Sequence, residues 1–209
     1  MTSRTHKECA ISFVYLATFY IYSNSIVEIN YYSLLLIMLC VGASGALFPD
    51  VDHTWKNVKE KTLFNWIINK LIHLTGGKHR SWQTHSIDLC IASGLLLLIY
   101  SKGLFTAEKI SELDYEVFRI IIFAFYSGWI SHLLSDMLTI QGVYILCLKK
   151  KNVKFVPRRV GSLEFKTGDR WENYVYNLVN KINIVLSLIA IVYPFMVNEQ
   201  WSLALMSRL

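Results

Sequence analysis

His132 and Asp136 stand four residues apart in the stretch Gly128 to Gly142, which closes a long apolar run beginning near Val117. On a helix that spacing stacks both side chains on one face, reaching toward the same point. An imidazole and a carboxylate inside an apolar helix are costly unless paired, hydrogen-bonded or bound to a metal. A plain His–Asp hydrogen bond accounts for this pair as well as a metal site does. The remaining histidines and acids must decide between them.

Two further clusters carry the same chemistry. Pro49-Asp50-Val51-Asp52-His53 offers two carboxylates and an imidazole where a helix is expected to end, with Pro49 helping to turn the chain. Lys78 to Ser86 contributes His79, Arg80 and His85. Mixed His/Asp sets without sulfur suit Zn²⁺, Mn²⁺ or Fe²⁺. Asp50, Asp52, His53, His79, His85, His132 and Asp136 outnumber the ligands of one tetrahedral ion, so one or two divalent ions are expected. Each cluster also has an ordinary reading: a solvated acidic cap, headgroup contacts for His79 and Arg80, an N-cap at Ser86. Those readings need three separate reasons for the clusters to meet at one depth, whereas a metal site needs one. Cys9, Cys40, Cys90 and Cys147 stand apart with no C-x-x-C pair, so neither a thiolate zinc site nor a disulfide framework is supported.

The elements that must position these residues are membrane helices. Hydrophobic residues make up 54% of the 209 and charged residues 17%, and the apolar residues come in blocks. This is the composition of an all-α, polytopic membrane protein in a single domain over 1–209. About five spans are expected: Cys9–Val27, Tyr31–Phe48, Ile87–Phe105, Val117–Gly142 or a little beyond, and Ile182–Val197 with a possible extension toward Met206. The small residues Gly42 to Ala46 suit close helix packing. Between the second and third spans, Thr62–Leu74 reads as an amphipathic helix in the membrane surface, with Asn65, Asn69, Lys70 and His73 on its polar side. No cleavable signal peptide and no internal repeat are evident.

Orientation follows from lysine and arginine in the loops. The N-terminus, the Lys56–Arg80 loop and the Lys149–Lys181 segment are basic, whereas the Glu28 turn and the Thr106–Glu116 loop are not. Five spans with a cytoplasmic N-terminus satisfy all of these and place every cluster at the cytoplasmic face. The net charge of +6 is then a report on topology, and nucleic acid is not expected as a partner.

In family order, the chain carries Leu-Phe-Pro-Asp-Val-Asp-His at Leu47–His53, His79-Arg80 followed by Thr84-His85-Ser86, and Gly-Trp-Ile-Ser-His-Leu-Leu-Ser-Asp at Gly128–Asp136. An early His6 precedes the first span, and Gly168 is followed by Glu172 late in the chain. This ordered set resembles the YdjM-like family of predicted inner-membrane metal-dependent hydrolases, over most of the chain. The resemblance implies a bacterial inner-membrane location and hydrolase activity. The expected function is cleavage of an ester or phosphoester in a lipid or lipid-linked substrate by a mono- or dinuclear centre. In that reading Arg80 stabilises anionic oxygens with its planar fork, and Glu172 is a further ligand or general base. His6 is a possible further ligand. The basic Lys149–Arg159 segment would hold an anionic headgroup or phosphate-bearing substrate, although orientation alone also accounts for it. The rival reading is a metal-ion or proton transporter using the same His/Asp cluster; it would be expected to show repeats and polar residues across the span.

Overall fold

Tyr31–Asp52, Ile87–Thr106, Glu112–Asp136 and Arg170–Val197 are, among the described residues, the four segments long and apolar enough to cross a membrane. The structure is a computed structural model, and it describes residues 2–24, 26, 29–139, 142–144, 152–153, 168 and 170–197. Its helices are α1 (Ser3–Ser23), α2 (Tyr31–Leu47), α3 (Leu63–Leu74), α4 (Ile87–Thr106), α5 (Glu112–Asp136) and α6 (Arg170–Val197). The protein is an all-α membrane protein. Helix α1 is 21 residues long, but its polar first turns, with His6, Lys7 and Glu8, dilute its apolar character. It nevertheless packs among α2, α5 and α6, and its Val14 and Ile21 join Leu34, Met38, Ile120 and Ala124 in one buried cluster.

Local sequence sets where the helices begin and stop. The Asn30 side chain accepts from the Tyr32 amide at 3.0 Å to open α2. Ser111 and Asp114 form a reciprocal capping box at the start of α5. Beyond α2, Pro49–Asp52 tightens into a 3-10 turn. Helix α5 stops at Asp136, short of the expected Gly142. The Thr139 amide and hydroxyl both donate to the Asp136 carbonyl, at 3.0 and 2.8 Å, and Gly142 takes a left-handed φ of 66°. The chain then enters a short antiparallel ribbon of β1 (Val143–Tyr144) and β2 (Asn152–Val153), in the register Val143 to Val153. The Tyr144 amide donates to the His85 carbonyl at 3.0 Å, which ties the ribbon to the start of α4.

The closest approach in the fold is between α2 and α5. A Cβ on Gly128 would lie 2.0 Å from the Gly42 carbonyl oxygen, and one on Gly45 would lie 2.0 Å from the Phe125 carbonyl oxygen. The two backbones therefore touch, which only glycine permits. On its other side α1 meets α6 through polar pairs: Ser12 donates to Asn183 at 2.6 Å, and the Tyr15 and Ser187 hydroxyls lie 2.9 Å apart. The long helices alternate in direction. The starts of α1, α4 and α6 and the ends of α2 and α5 thus gather at one end of the bundle.

Helix α3 is amphipathic, but the assignment of its faces is corrected. Asn65 and Asn69, expected on a solvated side, are buried, while Leu63, Phe64, Trp66, Ile67, Leu71 and Leu74 are exposed. The amides turn inward because loop carbonyls there need donors: Asn65 donates to Glu60 O, and Asn69 to Val51 O and His53 O.

Candidate metal centre

His132 is fully buried, and its Nδ1 donates to the Ala46 carbonyl oxygen at 2.7 Å. A carbonyl can only accept, so Nδ1 carries a proton, and in the neutral imidazole Nε2 is the atom with the lone pair. Contact of α2 with α5 at Gly128, one turn earlier, is what brings Ala46 within reach. Nε2 of His132 lies 3.6 Å from Asp136 Oδ2 and 3.9 Å from Asp50 Oδ1.

His85 is held in the same manner from the other side. Its Nδ1 lies 3.0 Å from the Thr84 hydroxyl and 3.3 Å from Asp52 Oδ2. Its Nε2 points inward, 3.6 Å from Asp136 Oδ2. His6, from the first turns of α1, places Nε2 3.4 Å from Asp136 Oδ1 and stacks on the His132 ring at 3.7 Å between centroids. The His53 and His79 rings stack at 3.5 Å. Burial, and then the neighbouring His79 ring, hold the pKa of His53 below its ordinary value. That favours the neutral imidazole which a metal requires.

Ligand atoms of three groups lie within 4.8 Å of one another: His6, His132 and Asp136; Asp50, His53 and His79; and Asp50, His85 and His132. The structure thus brings together six of the seven expected ligands and adds His6. Asp52 belongs to none of these groups. It is fully buried and accepts from the Ser81 amide at 3.0 Å, the Thr84 hydroxyl at 2.7 Å and His79 Nδ1 at 3.1 Å, with His85 Nδ1 beside it. Its geometry is that of the carboxylate behind a metal-binding histidine.

A divalent ion fits this donor set. In a tetrahedral site with bonds of about 2.0–2.1 Å, ligand atoms lie roughly 3.3–3.4 Å apart. Separations of 3.4 to 3.9 Å around Asp136 and His132 are close to that spacing. Nε2 of both His85 and His132 is buried with no hydrogen-bond partner among the described residues. Leaving such atoms unpaired is expensive, and an ion would satisfy both.

The remaining expected residues lie outside the three groups. Arg80 adopts a left-handed φ of 58° and forks onto Asp136 Oδ1 and the Thr139 hydroxyl, each at 3.0 Å. Glu172 is buried at the start of α6 and accepts from the Thr2 amide and hydroxyl, the Thr5 hydroxyl and the Gly168 amide. It clasps Thr2 and Thr5 at the beginning of α1, four residues and one residue before His6, and lies in none of the three groups. His73 is exposed, and its ring nitrogens lie 3.1 Å from the Gly77 carbonyl and 3.3 Å from the His53 carbonyl. The Lys149–Arg159 segment lies outside the described residues, apart from Asn152 and Val153. Trp129 is a residue whose role was missed: its indole N–H donates to the Thr84 carbonyl at 2.9 Å and so anchors the segment carrying His85. A tryptophan donor in an apolar helix needs such a partner, and that was the available signal.

The model of the YdjM inner membrane protein family matches residues 1–202 of the chain. The chain belongs to that family. The match takes in all the residues of the three His/Asp groups of this YdjM-family protein. No curated protein and no solved structure matches it.

Proposed function

We propose that this YdjM-family protein is a membrane-bound metal-dependent hydrolase, with its centre at the cytoplasmic face of the inner membrane. The observation that carries the reading is the pair of buried imidazoles, His85 and His132. Each has Nδ1 tied to a fixed partner, and each aims at the same Asp136 oxygen, 3.6 Å away, an Nε2 with no hydrogen bond among the described residues. A structural His–Asp network would not leave both lone pairs without a hydrogen bond.

When bound, a divalent ion supplies Lewis acidity and water activated near neutral pH. His6, His85, His132, Asp50 and Asp136 would hold one ion, and Asp50, His53 and His79 would hold a second. Asp52 keeps the proton of His85 on Nδ1, so that its Nε2 faces inward, and holds His79 by its Nδ1 as well. Glu172 enters the proposal through the start of α1, which it fixes against α6 and with it His6. Arg80, held beside Asp136, supplies a guanidinium to a phosphoryl or carboxyl oxygen. The lysines and arginines of Lys149–Arg159 favour an anionic substrate at the same membrane face, a phosphoester of a lipid or lipid-linked molecule. The cytoplasmic placement rests on the basic loops and the alternating helices.

The test is elemental analysis of the purified protein, followed by metal-dependent hydrolysis of phosphodiester and phosphomonoester probes. Stoichiometric metal with turnover is expected; metal-dependent flux into liposomes without turnover would mean transport instead. Arg80→Ala should retain the metal while kcat falls about 100-fold or more, the usual loss for one donor to a developing anion. Unchanged kcat in that variant would remove Arg80 from the chemistry.

A further inference from the structure

Asn69 sits where the buried face of α3 meets the candidate centre. Its Nδ2 donates to the Val51 carbonyl at 2.6 Å and to the His53 carbonyl at 2.7 Å. These two carbonyls bracket Asp52 in the turn that also presents Asp50 and His53. One amide group therefore satisfies both acceptors and fixes the path of the backbone between them. Ile72, one turn on, is buried with Val51 and Val58 in the same small cluster. Among the described residues, α3 holds the turn through this pair of bonds, this cluster and the His73 ring, whose Nε2 lies 3.3 Å from the His53 carbonyl at the protein surface.

The outer face of α3 is apolar and exposed, with the Phe64 ring stacked on Phe48 at 6.3 Å between centroids. Leu63 is 75% and Leu74 82% exposed, and Phe64, Ile67 and Leu71 complete one stripe between them. Exposed lysines, Lys56, Lys59, Lys61, Lys70 and Lys78, lie on the helix and its flanking loops. An apolar stripe with a cationic rim complements acyl chains beneath anionic headgroups. The chain offers that surface directly, because α3 lies between the end of one span and the start of the next.

We propose that Asn69 is a positioning residue, through which a lipid-seated α3 holds the Asp50–His53 turn in ligand geometry. The inference rests on the metal reading above and adds a dependence of the centre on the membrane surface. Loss of the two donors lets the turn relax, so Asp50 and His53 lose their spacing to His79 and His132. Loss of the lipid seat frees α3 and has the same effect.

The experiment uses the full chain in nanodiscs of mixed phosphatidylcholine and phosphatidylglycerol, titrated with Co²⁺ and followed by visible absorption. Asn69→Asp is nearly isosteric and replaces the donor by an acceptor. It should weaken cobalt binding about 10-fold or more, the range found for partners of metal ligands. Its absorption bands at saturation should also shift, which a general loss of stability would not produce. Ile67→Asp combined with Leu71→Asp should weaken binding in the same direction. Backbone hydrogen exchange over residues 49–54 of the metal-free protein should rise in both variants, and in Asn69→Ala if Asn69→Asp does not fold. Wild-type affinity, bands and exchange in the Asn69 variants would overturn the positioning role. Unchanged binding and exchange in the stripe variant would overturn the lipid seat. A wild-type protein that takes up no cobalt would instead sink the metal reading, while the exchange measurement would still report on Asn69.

Discussion

His132→Ala should lose its metal: affinity falls by more than about 100-fold, and the protein purifies without the ion. His132 supplies a ligand atom to two of the three His/Asp groups, so its removal opens both. The expected size follows from a comparison. Disturbing a residue that merely supports a metal ligand costs about 10–100-fold in affinity, so deleting a ligand must cost more. Asp52→Asn provides the graded control. It weakens the hold on His85 Nδ1 but removes no member of the three groups, and its loss should stay within that 10–100-fold range. The cobalt absorption of Asp52→Asn should keep the wild-type ligand pattern, whereas His132→Ala should not. Helical content by circular dichroism checks that both variants are folded. If His132→Ala retains stoichiometric metal, the assignment of the buried imidazoles to an ion is wrong.

The residues of the candidate centre stand out in the sequence because their chemistry is conspicuous in an apolar chain. His132 and Asp136 at helical spacing, the Asp50–His53 run and His85 announced themselves by type alone, and alternating spans put them at one end. Their roles were harder to read. Asp52 and Asp50 are two residues apart in one turn, yet Asp52 is consumed by Ser81, Thr84, His79 and His85 while Asp50 faces His132. Which carboxylate faces His132 depends on a single 3-10 turn, and hydrophobic periodicity says nothing about it. Asn69 was placed on a solvated face for a related reason. A polar side usually faces water, but here the exposed face is apolar and the polar partners are backbone carbonyls inside. The end of α5 was also misjudged, since the apolar run continues past Asp136 while Thr139 satisfies the last carbonyl and Gly142 turns the chain.

Gly128→Ala should be strongly destabilising, and it should damage the candidate centre as well. The new Cβ would lie 2.0 Å from the Gly42 carbonyl oxygen and 2.8 Å from the Ala46 amide nitrogen. Both are backbone atoms of α2, so no flexible side chain can swing away, and the two helices must move apart. Forcing extra volume into a packed core commonly costs about 1–3 kcal/mol, occasionally more, and contact with rigid backbone belongs at the upper end. Separation also lengthens the bond from His132 Nδ1 to Ala46 O, because His132 follows Gly128 by one turn and Ala46 follows Gly42 by one turn. Gly128→Ala should therefore lower the midpoint of denaturant unfolding in micelles and weaken metal binding in the same protein. Gly103→Ala is the matched control, since a Cβ there meets nothing within 4 Å. In the interior of α4 that change should be neutral or slightly stabilising, because alanine is the better helix former. Equal stability of the two variants would show that α2 and α5 do not meet at Gly128, and that the backbone contact setting the His132 tautomer is not the one described.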